Sequence, residues 1–112
     1  MDEAKRQDVF TEFGELVNMT PKEIENWLET DQSQSVGMTN EGEDESTGHK
    51  SGRRIVEIRH TRKADLSDDD YEHMQKVVGY IKRHSKQRPK GDVEDTDWRF
   101  SLMNWGHDPL KD

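Results

Sequence analysis

The sequence predicts an all-α protein: four to five short helices around one small core, with a long mobile acidic loop between them. Apolar residues recur at three- and four-residue steps in several separate stretches. Helix-capping signals stand directly before most of those stretches. The one run that could pass for a strand, at 53–60, has no evident partner strand.

The 112 residues suit a single domain over 1–112. Only 28% of them are hydrophobic and 38% are charged, against roughly 45–50% apolar and about 25% charged in a typical globular chain. The core must therefore be small, and much of the chain solvated. There is no cysteine, which excludes disulfides, thiolate-bound zinc and thiol nucleophiles. The start Met1-Asp2-Glu3 is acidic, with no apolar leader behind it. No stretch approaches the roughly 18 apolar residues of a membrane span. The expected setting is the cytoplasm, without a membrane.

The first helix is expected from about Lys5 to Val17, where Val9, Phe10, Phe13, Leu16 and Val17 share a face. The next begins at Thr20-Pro21-Lys22-Glu23, with Thr as N-cap, Pro at the first position and Glu three residues past the cap, forming a capping box. Met19 and Ile24 stand at the staple positions, and the helix should end near Thr30. Residues 31–49 are polar, acidic and glycine-bearing, and read as a mobile loop. A further helix is expected over 53–63, because Ile55 and Ile58 share a face while Arg59 and Arg62 extend a cationic side. The clearest start is Ser67, followed by Asp68, Asp69 and Asp70 in the first turn and by the stripe Tyr71, Met74, Val77, Val78 and Ile81. Pro89 and Gly91 close that element. A last short helix is expected from Thr96 to Asn104, stopped by Gly106.

The formal net charge of −8 conceals an uneven distribution. Residues 1–47 carry three basic and thirteen acidic groups, residues 48–90 twelve and six, and residues 91–112 two and six. A middle of net +6 thus lies between flanks of −10 and −4. Such a middle is suited to anions. Its densest part, Gly48-His49-Lys50-Ser51-Gly52-Arg53-Arg54, joins cations and a hydroxyl to glycines that allow close approach. The spacing is not that of a Walker loop. A plainer account has these arginines paired with the acidic residues at 41–45. The nucleic-acid-contacting candidates are His49, Lys50, Arg53, Arg54, Arg59, Arg62 and Lys63, extended by Lys82, Arg83 and Lys86. The last three also have a simpler role, complementing the dipole at a helix C-terminus.

A helix-turn-helix comparison is weak here. The turn Ala64-Asp65-Leu66 lacks a glycine, and three aspartates would open the second helix toward phosphate. Trp27, Trp98 and Trp105 are expected in the core. No order of Ser, His and Asp suggests a nucleophile, and no histidine spacing makes a metal motif.

Three motifs carry a resemblance: Asn18-Met19-Thr20-Pro21, Gly48 through Ile58, and Leu102-Met103-Asn104-Trp105-Gly106-His107-Asp108-Pro109. With them the chain resembles, from about Val9 to Lys111, a family of short bacterial and fungal proteins catalogued as a domain of unknown function. Its members are often labelled DNA-binding, and the resemblance implies no catalytic residues. The expectation is a non-catalytic protein without cofactor or small-molecule substrate, binding nucleic acid, DNA first. The alternative is a protein-interaction module that uses the acidic flanks and the loop.

Overall fold

The computed structural model describes residues 1–36 and 45–111. Six α-helices are formed in them: α1 (Glu3–Leu16), α2 (Pro21–Leu28), α3 (Asp31–Ser35), α4 (Thr47–Arg59), α5 (Asp68–Ser85) and α6 (Asp97–Asn104). A short 3₁₀ turn, Lys63–Asp65, leads into α5. No strand element is present among the described residues, so the all-α reading holds, with one helix more than the sequence suggests.

The caps lie where short polar side chains can reach exposed backbone N–H groups. Thr20 Oγ1 accepts from the Glu23 N–H at 3.2 Å, and Glu23 Oε1 accepts from the Thr20 N–H at 2.8 Å, closing the expected capping box. Met19 and Ile24 are both buried beside it. Ser67 caps α5 in the same way with Asp70, at 3.1 and 3.0 Å. Replacing Ser67 with alanine is expected to lower stability by about 1 kcal/mol, read from the urea midpoint. No change would mean that Asp70 alone suffices to start the helix.

Two boundaries differ from expectation. The stretch read as a loop over 31–49 is helical at both ends, in α3 and in the first turn of α4. Thr30 Oγ1 caps α3 through the Ser33 N–H, and Ser46 Oγ caps α4 through the His49 N–H at 3.1 Å. Residues 37–44 of that stretch lie outside the described residues. The helix expected over 53–63 runs instead over Thr47–Arg59. It ends where the His60 N–H turns back to the Val56 and Ile58 carbonyls.

The core runs along one stripe of α5, where Tyr71, Met74, Val77, Val78 and Ile81 are buried. Burying side chains of this size contributes roughly 1.5–3 kcal/mol each. Against it lie Val9 and Phe13 of α1, Ile55 and Ile58 of α4, and Trp98 and Leu102 of α6. Helix α6 is central, touching α2, α3, α4 and α5.

The residues after α6 tie the N-terminal part of the chain to this centre. Gly106 has φ +81°, a left-handed turn that favours glycine. Its carbonyl accepts from the Met19 N–H at 3.2 Å. Asn18 and Asp108 bond reciprocally: Asn18 Nδ2 donates to the Asp108 carbonyl at 2.9 Å, and the Asp108 N–H donates to Asn18 Oδ1 at 2.8 Å. Arg99 then holds the Asp108 carboxylate by two N–H donors, at 3.1 and 3.0 Å. The first and third motifs of the resemblance are therefore two halves of one clasp.

Candidate functional site

Helix α4 places Lys50, Arg53, Arg54 and Glu57 at three- and four-residue spacing, hence on one face. The opposite face buries Ile55 and Ile58 in the core. The exposed face forms one wall of an open cleft of about 440 Å³. Thr47 and Ser51 add hydroxyls to that wall, His73 and Lys76 of α5 form the other, and Trp105 borders it. Four cations from two helices thus converge on one concavity in a chain of net charge −8.

Several of these charges are already partnered. Arg54 Nη2 donates to Asp70 Oδ1 at 2.7 Å, and Arg53 pairs with Glu45. One of the two arginines is thus paired with an acidic residue of the 41–45 stretch. Asp70 sits below the usual carboxylate range, chiefly because it accepts the Ser67 backbone N–H, then because Arg54 faces it; partial burial opposes both. Arg53 remains largely open, its side chain 61% exposed, whereas that of Arg54 is 39% exposed.

His73 Nε2 lies 3.0 Å from Ser51 Oγ, and its ring lies nearly parallel to Trp105. Burial first, then Arg54 and Lys76, push its pKa down from 6.5 to about 4. The imidazole is therefore neutral at pH 7. As the pH falls below about 6.5 the unfolded chain takes up this proton before the folded one. The stability His73 contributes is thus present above about pH 6.5 and is lost as the pH falls to about 4. Proton NMR of the His73 ring is expected to show no titration until near pH 4; an ordinary midpoint near 6.5 would contradict the burial.

The other sequence candidates do not join this cleft. His49 faces away from it, with Nε2 2.8 Å from the Leu28 carbonyl oxygen and Nδ1 against Glu45. Arg59 and Lys63 border a separate shallow apolar groove that includes Phe10 and Phe13. Lys63 lies over the Phe10 ring and donates to Gln7. Arg62 pairs with Asp65 at 3.0 Å in its own turn, and Lys82 pairs with Glu12 of α1. Arg83 lies along its own helix beside Gly79, and Lys86 is the exposed C-cap of α5. A single cationic face running from Lys50 to Lys63 is not formed. Helix α4 stops at Arg59, and at 100° per residue Arg59 points opposite Lys50.

Lys76 and Thr47 do not stand out in the sequence, and Trp105, one of three tryptophans that could stack on bases, reads there mainly as a core residue. Only the packing of α4, α5 and α6 brings them together. Trp98 and Trp105 are buried as expected, and half-buried Trp27 donates its indole N–H to Asn104 Oδ1 at 2.8 Å. Among the described residues, no group of three or more His, Cys, Asp or Glu could hold a metal ion, and no helix is long and apolar enough to cross a membrane.

No curated protein and no solved structure matches the chain. Residues 12–103 match the model of a family described as protein of unknown function, DUF3140. That match takes in most of the sequence, from the second half of α1 to the end of α6, and the chain belongs to this family.

Proposed function

We propose that this chain is a non-catalytic, cytoplasmic nucleic-acid-binding protein that contacts phosphates through the cleft face of α4, DNA being the first ligand to test. The observation that carries the reading is the convergence of Lys50, Arg53, Arg54 and Lys76 on one open cleft beside two hydroxyl groups. Arginine forks and lysine ammonium groups are the side chains that most often hold phosphate oxygens. The resemblance to short bacterial and fungal proteins labelled DNA-binding points the same way. The net charge of −8 opposes a polyanion, so affinity at physiological salt is expected to be micromolar or weaker, as for non-specific binders.

The test is a titration of isotope-labelled protein with a mixed-sequence DNA duplex, and separately with single-stranded RNA, at low salt. Amide shifts should concentrate at 47–57 and 73–76 and include the Trp105 indole. Shifts confined to other surfaces would move the interface away from the cleft. Absence of binding to either nucleic acid by folded protein would defeat the reading, leaving a protein partner as the next candidate.

A further inference from the structure

The shape of the cleft bears on which part of a nucleic acid it accepts. Lys50, Arg53 and Arg54 span four residue steps, or about 6 Å along the axis of α4. A carboxylate, Glu57, stands on the cleft wall one turn further on, and Arg53 is itself paired with Glu45 from outside the cleft. A duplex laid along α4 would present a phosphate every ~3.4 Å of its axis on each strand. A neighbouring phosphate would therefore meet Glu57. The cleft is open and concave, and its volume of about 440 Å³ leaves room for a group of phosphate size.

On the nucleic-acid reading, we infer that the cleft takes a single phosphomonoester of a nucleotide, held by Lys50, Arg53, Arg54 and Lys76, and not the continuous backbone of a duplex. A phosphomonoester carries three acceptor oxygens and a charge near −2 at pH 7. A backbone diester offers two unesterified oxygens and one charge. Arg53 and Arg54 line the α4 wall and Lys76 the α5 wall, so donors face a bound phosphate from two sides, and three oxygens make more use of them than two. The source is either the 5′-phosphorylated end of a strand or a free nucleotide. Both present the same group.

The experiment compares three probes by fluorescence anisotropy and competition: a short single-stranded DNA with a 5′-phosphate, the same strand with a 5′-hydroxyl, and the free nucleoside monophosphate. The phosphorylated strand should bind at least about tenfold more tightly than the hydroxyl strand, a difference of about 1.4 kcal/mol. The monophosphate should displace it, and Arg53→Gln should reduce the preference several-fold. A monophosphate that binds as tightly as the phosphorylated strand identifies the free nucleotide as the ligand; weaker binding identifies the strand end. Equal affinity for the two strands would overturn the inference while leaving nucleic-acid binding intact. Binding of none of the probes, nor of duplex DNA or RNA, would defeat both.

Discussion

Replacing Asn104 with alanine is expected to destabilise the protein by about 3 kcal/mol. Asn104 is 1% exposed and joins three helices through hydrogen bonds. Its Oδ1 accepts from the Trp27 indole at 2.8 Å and from the Ser33 hydroxyl at 2.5 Å. Its Nδ2 donates to the Ser33 carbonyl at 3.0 Å. Alanine would leave an indole N–H, a hydroxyl and a carbonyl without this partner, two of them on the fully buried Ser33. Each unsatisfied buried group costs about 1–3 kcal/mol, and the sum is reduced where the site relaxes. In a chain of this size the melting temperature should fall by roughly 10 °C. The counterpart Ser33→Ala should cost less, because Asn104 keeps its bond to Trp27 and the Ser33 carbonyl stays paired. A loss below about 1 kcal/mol for Asn104→Ala would show that α3 is not held through this residue.

The second large effect concerns Gly52. A Cβ at that position would lie 2.7 Å from the Asn104 carbonyl oxygen and 2.8 Å from Leu28 Cδ2. The carbonyl belongs to the end of α6, which the bonds of Asn104 hold in place. Alanine in mid-helix normally gains up to about 1 kcal/mol over glycine, but forced overpacking costs about 1–3 kcal/mol or more. Gly52→Ala is therefore expected to destabilise by about 2 kcal/mol net. Gly14, in the middle of α1, is the control. Nothing lies within 4 Å of a Cβ built there, so Gly14→Ala should stabilise by about 0.5–1 kcal/mol. Chemical denaturation of both variants reads the opposite signs, and a gain at Gly52 would contradict the close packing of α4 on α6.

Gly52 also explains why part of the fold was hidden in the sequence. Helices α1, α2, α5 and α6 were legible because caps and apolar periodicity agree in them, as at Thr20, Ser67 and Thr96. Helix α4 begins earlier than the sequence suggests, because glycines such as Gly48 and Gly52 are poor helix formers by local propensity. In the structure they are packing glycines. A Cβ at Gly48 would come within 3.1 Å of Trp105 Nε1, so local propensity gives way to a tertiary contact. Helix α3 leaves no trace in the sequence because its five residues, Asp31–Ser35, carry no apolar side chain. It is held by the buried Ser33 and its bonds to Asn104, a partner 71 residues away.

The candidate site was half legible for a related reason. Lys50, Arg53 and Arg54 share a face once α4 is recognised as a helix. Lys76 and Trp105 come from elements whose placement against α4 leaves no local trace. The basic residues beyond the cleft, from Arg59 to Lys86, look equivalent in sequence. They are drawn off by neighbours such as Asp65 and Glu12, or by the apolar groove beside Phe10.

The salt dependence of DNA binding tests the central claim most directly. Each phosphate contact made by a cation contributes about −0.9 to the slope of log affinity against log salt. Arg53→Gln with Lys76→Gln removes one cation from each wall of the cleft and spares the Arg54–Asp70 pair that helps to hold α4 against α5. If the cleft is the phosphate site, the double variant should bind all DNA sequences more weakly. Its slope should be shallower than the wild-type slope. An unchanged slope and affinity in a variant that folds normally would contradict the account.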